Sequence, residues 1–214
     1  MSELMSTAAA VVPLLGGWSA HSVLLRRRLV AAQRDPLSGL WRREGFETRA
    51  ARLLARRPAA VIVIDLDGFK QINDTLGHAT GDAVIRMAGA SLNESVEGRG
   101  FAGRLGGDEF AAAVPLPPHP DALRWLLEGV HGLLTAPIRH GGRDLSVGAS
   151  VGGASAPPGT PLPAALRAAD EAMYQAKQTG GGIMPAHRLN AAYRTVNGRR
   201  NGRPGTDLNG EVAA

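Results

Sequence analysis

One stretch, Val61-Ile-Val-Ile-Asp-Leu-Asp67, constrains the fold more than any other part of this chain. Its β-branched richness marks a strand buried in the middle of a sheet. The strand ends in carboxylates at i and i+2, and period-2 alternation puts Asp65 and Asp67 on one face. A buried strand that runs into acids is costly unless something cationic meets them. A hard divalent ion such as Mg²⁺ is the natural partner, because it takes oxygen ligands and keeps phosphates attached. The alternative is a strand end with two solvated acids.

A second stretch, Arg104-Leu-Gly-Gly-Asp-Glu-Phe110, has apolar residues on both sides of its glycines. Two short strands joined by Gly-Gly read as a β-hairpin that presents Asp108 and Glu109 at an exposed tip. Taken alone, Gly-Gly-Asp-Glu is an ordinary soluble turn.

Other segments alternate in period. Helical stripes cover Glu44 to Arg56, Asp82 to Leu92, Asp121 to Leu134 and Pro163 to Lys177, and Leu145 to Val151 reads as a strand. The order is β-α-β-β-α-β plus additions. It predicts an α+β fold of ferredoxin-like type, a mainly antiparallel central sheet with helices on one side. Residues 183–214 are rich in Asn, Gly and Arg without periodicity and read as a disordered tail.

At 214 residues the chain holds one core of ordinary size plus termini. The absence of cysteine excludes disulfides and thiolate metal sites. The net charge of +5 is concentrated at the ends, with Arg26-Arg-Arg28 before the domain and Arg199, Arg200 and Arg203 after it. With aromatics at 4%, no basic patch is interleaved with stacking residues, so nucleic acid is not an expected partner. Leu4 to Leu25 carries no charge and runs into those arginines. It reads either as a membrane span that leaves the domain in the cytoplasm or as a dimerisation helix. Residues 1–33 are therefore set apart as an N-terminal hydrophobic segment and basic linker.

The motifs together resemble the GGDEF domains, the diguanylate cyclases. Arg104 to Phe110 matches the motif that names the family, and Asp65 to Asp82 is similar to its nucleotide-binding stretch almost position for position. Asp35-Pro-Leu-Ser-Gly-Leu40 resembles the opening motif, which Arg43 and Phe46 continue. Ser150-Val-Gly152 and Ala169 to Lys177 resemble the last strand and helix. The resemblance covers residues 34–182 and implies a palm-type nucleotide-cyclase fold.

By the same resemblance the reaction is the condensation of two GTP molecules into cyclic di-GMP, with Mg²⁺ or Mn²⁺ and a homodimer of catalytic domains. It assigns Asp65, Asp108 and the Leu66 carbonyl to the metal. It makes Asp108, Glu109 and Lys70 catalytic: Lys70 places positive charge at the phosphates, and Asp108 takes the 3′-hydroxyl proton. Gly68 and Phe69 offer N–H groups to the phosphates, and Lys177 binds substrate. Asn73 and Asp82 match the donors and acceptors of a guanine edge, with His78 a further contact. Local capping is the competing account of Asn73 and Asp82, and helix entry that of His78.

Some positions depart from the family pattern. Arg42 stands where the opening motif has Asn. Gly180-Gly181-Gly182 stands where Gly-Arg-Asn is usual, which removes a phosphate-contacting arginine. The product-inhibition motif Arg-x-x-Asp falls on Glu97-Gly98-Arg99-Gly100 and lacks both of its end residues.

Overall fold

The computed structural model describes residues 33–96 and 98–186. The N-terminal segment and most of the C-terminal tail lie outside the described residues. The elements in chain order are β1 (Trp41–Arg42), α1 (Arg43–Leu54), β2 (Ala59–Asp67), α2 (Phe69–Leu76), α3 (His78–Val96), β3 (Phe101–Gly106) and β4 (Glu109–Pro115). There follow α4 (Ala122–Thr135), β5 (Ile138–His140), β6 (Arg143–Leu145), β7 (Gly148–Ala156), α5 (Leu162–Gln178) and β8 (Gly182–Pro185).

Six strands form one sheet in the order β1-β3-β4-β2-β7-β8, while β5 and β6 make a separate hairpin. The four inner strands are antiparallel, and only the edge strands β1 and β8 pair in parallel. The expected α+β fold is thus present, with β2 flanked by β4 and β7.

Helices cover both faces of this sheet, not one. Ile62, Ile64 and Leu66 point into a core with Val84, Ile85 and Leu92 of α3 and Leu127 and Val130 of α4. Val61 and Val63 point the other way, toward Phe46 and Leu54 of α1 and Ala169 and Met173 of α5. The continuous apolar run of β2 requires this, because a strand without polar alternation has no face to give to water. Residues Ala59 to Leu66 are all buried.

The small residues of β7 let α5 come close. A Cβ at Gly152 would stand 2.0 Å from the Met173 nitrogen and 2.2 Å from the Ala169 carbonyl, so helix backbone rests directly on strand backbone. β8 continues the sheet past α5, with Ser150 opposite Gly182 and Gly153 opposite Pro185. Residues 183–186 therefore belong to the folded domain and not to the tail. A strand of four residues is too short to show a period in the sequence.

The opening motif is tied to the β3–β4 hairpin. Asp35 Oδ1 accepts from the Ser38 N–H at 2.8 Å, the Ser38 hydroxyl at 2.7 Å and Arg104 Nη1 at 3.0 Å. Arg104 Nε also donates to the Gly107 carbonyl at 2.9 Å, and Arg43 donates to the Leu105 carbonyl at 3.1 Å. Arg42 stands at the N-cap of α1, where it makes no side-chain cap, and instead donates through Nε to the Arg34 carbonyl at 3.1 Å. Burial alone would raise the Asp35 pKa, but the Ser38 hydrogen bonds and the Arg104 guanidinium outweigh it and hold the carboxyl below its ordinary value. A carboxyl lowered in the folded state stabilises above its unfolded pKa and loses that contribution as pH falls through the folded one. Asp35→Asn should therefore cost about 1–2 kcal/mol at neutral pH. The gap from the parent chain should narrow below about pH 4, as measured by urea unfolding across pH.

Candidate functional site

The carboxyl end of β2 brings together Asp65, Leu66, Asp108, Glu109 and Lys177. Asp65 is the last fully buried acid of the strand, at 2% exposure, while Asp67 is half-buried. Asp65 sits opposite Glu109 of β4 on one side and Ser150 of β7 on the other. Directly opposite residues of an antiparallel pair share a face, so two carboxylates lie side by side here, an arrangement unfavourable without a cation. Lys177, in the last turn of α5, supplies one: its Nζ lies 2.6 Å from Asp65 Oδ1. Ser150 Oγ donates to Asp67 Oδ1 at 2.7 Å, which orients the second acid.

The hairpin tip meets the same strand end. The Leu66 N–H donates to the Asp108 carbonyl at 3.2 Å, so Asp108 lies beside the Asp65–Leu66 peptide. The turn falls one residue later than Gly-Gly suggests. Gly106 still pairs with Glu109 after an irregularity in the register, and Gly107 and Asp108 form the connection. Glu109 is consequently the first residue of β4 and not part of the tip. Both acids are half-buried rather than exposed, because the tip leans on β2.

On the far side of the strand end, Gly68 precedes α2, whose first residues are Phe69 and Lys70. Phe69 and Ile72 pack against the core, and Lys70 is exposed. His78 is exposed and begins α3, as helix entry would have it. Asp82 lies inside α3 rather than at its N-cap, so the capping account does not apply to it. It is exposed and stands 3.7 Å from Arg86. Asn73 is half-buried and lies against α3. A Cβ at Gly81 would stand 2.0 Å from Asn73 Oδ1, so the small residue at position 81 makes the space that the amide occupies beside Asp82. Gly81 was not among the expected site residues; the helical stripe reads from Asp82, so only the structure, with α3 starting at His78, places this glycine inside a helix.

Two departures from the family pattern have a steric basis. Gly181 has φ +97°, and a Cβ there would stand 2.7 Å from Asp67 Oδ2. That positive-φ backbone conformation, which a residue with a Cβ rarely adopts, disfavours an arginine at that position. At Gly100 a Cβ would stand 2.3 Å from the Ala113 carbonyl, which leaves no room for an aspartate side chain. Glu97 itself lies outside the described residues.

The donors at the strand end are oxygens, which suits Mg²⁺ or Mn²⁺. Among the described residues no three His, Cys, Asp or Glu side chains form a ready-made cage. Mg²⁺ does not need one, since it is commonly held by one or two carboxylates and completed by water and substrate phosphates. Among the same residues no helix is long and apolar enough to cross a membrane; Leu4 to Leu25 lies outside them.

Comparison with known proteins gives this arrangement a context. Residues 32–182 match the family model described as diguanylate cyclase, GGDEF domain. An uncharacterized 19.3 kDa protein of Streptomyces ambofaciens is 45% identical over 175 residues, 80% of this chain and 92% of that protein. Diguanylate cyclase TpbB of Pseudomonas aeruginosa is 36% identical over 199 residues, 89% of this chain but 46% of that protein. A structure of TpbB comprising only the GGDEF domain superposes with a TM-score of 0.66 at 39% identity, over 73% of this chain and 95% of that one. The coiled coil and GGDEF domain of DgcB from Caulobacter crescentus, solved in complex with c-di-GMP, gives a TM-score of 0.72 at 26% identity, over 86% and 99%. The nucleotide-binding stretch, the hairpin, the six-stranded sheet and these matches lead to one conclusion: the chain belongs to the GGDEF domain family.

Proposed function

We propose that the chain is a diguanylate cyclase, which condenses two GTP molecules into cyclic di-GMP and releases pyrophosphate from each. The supporting observation is the junction of Asp65, Leu66 and Asp108 at the end of β2, with α2 starting on one side and Lys177 arriving on the other. Asp65, Asp108 and the Leu66 carbonyl would hold Mg²⁺ or Mn²⁺, which when bound neutralises charge on the triphosphate. The first N–H groups of α2, around Gly68 and Phe69, and the ammonium groups of Lys70 and Lys177 bind the phosphates. Asn73 and Asp82 take the guanine edge, with His78 at its margin, and adenine would leave their polar groups unpaired. Asp108 accepts the proton of the attacking 3′-hydroxyl, and Glu109 beside it keeps the strand end negative. The chemistry is positioning and charge neutralisation rather than covalent catalysis.

One domain holds one GTP, so ring closure needs two domains face to face, most simply as a homodimer with two-fold symmetry. Residues 1–33 would drive that association, as a membrane span or a helix pair, with the catalytic domain in the cytoplasm. A second reading is a GGDEF domain that binds GTP or a protein partner without turnover; glycine at position 181 in place of the arginine favours it.

Incubating the purified chain with GTP and Mg²⁺ should yield cyclic di-GMP by mass spectrometry. GTP binding by demonstrably dimeric protein with no product would leave the binding reading. Asp108→Ala should lower turnover by at least about two orders of magnitude and shift stability by less than about 1 kcal/mol. Near-normal turnover in that variant would remove Asp108 from the mechanism. Gly81→Ala should displace the Asn73 amide and raise KM for GTP about tenfold or more, with kcat less affected. An unchanged KM would argue against guanine recognition at Asn73. Deleting residues 1–30 should lower specific activity in dilute protein, and concentrating the protein should partly restore it.

A further inference from the structure

Lys177 and Asp65 are 112 positions apart, yet they form a close ion pair, with Nζ 2.6 Å from Oδ1. The two partners differ in freedom. The Asp65 side chain is 3% exposed and fixed within the sheet, whereas the Lys177 side chain is 40% exposed and ends a flexible stem of methylenes. The buried acid has to be met by a cation, while the cation is free to leave. Asp65 is also the carboxylate assigned above to the metal, and Lys177 the ammonium assigned to the phosphates. A divalent ion on the Asp65 carboxylate and an ammonium on the same group would repel each other.

We infer that Lys177 is an exchangeable counter-ion. It occupies the Asp65 carboxylate in the resting domain, resists metal without nucleotide, and moves to the triphosphate when nucleotide and metal arrive together. Metal and GTP then bind cooperatively, because each removes the competitor of the other. With glycine at 181 and no arginine side chain in that loop, the phosphates have Lys177 to draw from this end of α5. The inference rests on the assignment of Asp65 and Lys177 under the proposed cyclase function and adds an order of events to it.

The test is a Mn²⁺ titration of the full chain, followed by electron paramagnetic resonance without nucleotide. Lys177→Met keeps the stem and removes the ammonium, and it should bind Mn²⁺ about tenfold more tightly than the parent chain. The gain should vanish when Asp65→Asn is added. Should the methionine variant not fold, Lys177→Arg serves instead and should weaken nucleotide-free Mn²⁺ binding about threefold or more. A simple loss of nearby positive charge would raise metal affinity without moving the lysine. The second readout is therefore a crystal structure with Mn²⁺ and 3′-deoxy-GTP, which lacks the attacking hydroxyl. Lys177 should there contact a phosphate oxygen and no longer Asp65. Unchanged Mn²⁺ affinity, or Lys177 still on Asp65 in that complex, overturns the exchange. Cyclic di-GMP formation is scored separately. Product from the parent chain with no Mn²⁺ effect leaves the cyclase and removes the exchange, and the converse result removes the cyclase and keeps the exchange.

Discussion

The burial of Asp65 is the constraint on which the rest of the structure turns. β2 is covered on both faces, and its apolar run ends in a carboxylate that solvent scarcely reaches. Such a group persists in a folded domain only when positive charge or hydrogen-bond donors are brought to it. The fold brings Lys177 to it from the end of α5, while Ser150 of β7 donates to the adjacent Asp67 and the hairpin tip accepts from the Leu66 N–H. The sheet order β4-β2-β7 is what makes these meetings local.

Much of this was legible in the residues, for reasons that differ from element to element. The seven-residue run to Asp67 announced a central strand, because only a strand covered on both sides tolerates so many apolar residues in a row. Its full consequence, helices on both faces, is implied by the same run once that condition is applied to each face. The amphipathic helices were visible from their stripes, and their ends moved by a few residues, as with α3, which begins at His78 and not Asp82. That shift places Asp82 within the helix and removes the capping account for it. The β3–β4 turn was misplaced by one residue because two adjacent glycines leave open which of them bends. β1 and β8 carried no readable signal: two- and four-residue edge strands are defined by their neighbours, not by a period of their own.

At the site, single residues were easier to foresee than pairs. Asp65 and Asp108 could be named from motif and chemistry, and the structure sets Asp108 beside the Asp65–Leu66 peptide. The meeting of Asp65 with Lys177 could not be named in that way, since nothing local in either segment encodes a contact across 112 positions. Gly81 was missed for a related reason. Its role is to be absent from a space that Asn73 fills, and sequence patterns report side chains more readily than the room left for them. The opening motif lies between these cases: Asp35 was noticed as part of a motif, but its grip on Arg104 and the hairpin emerges only from the packed structure.

The seat of α5 on β7 bears on how such a domain would be controlled. With Gly152 pressed against the Met173 and Ala169 backbone and the side chains of both residues set in the core beside it, the helix has little room to slide or tilt. Packed backbones of this kind behave as one solid body. Under the inferred exchange, adjustment at this edge of the site is left to the Lys177 side chain and not to the scaffold. A signal acting on a body this stiff would have little to bend, and its natural lever would be the frequency with which two such bodies meet, a matter of encounter and orientation rather than shape.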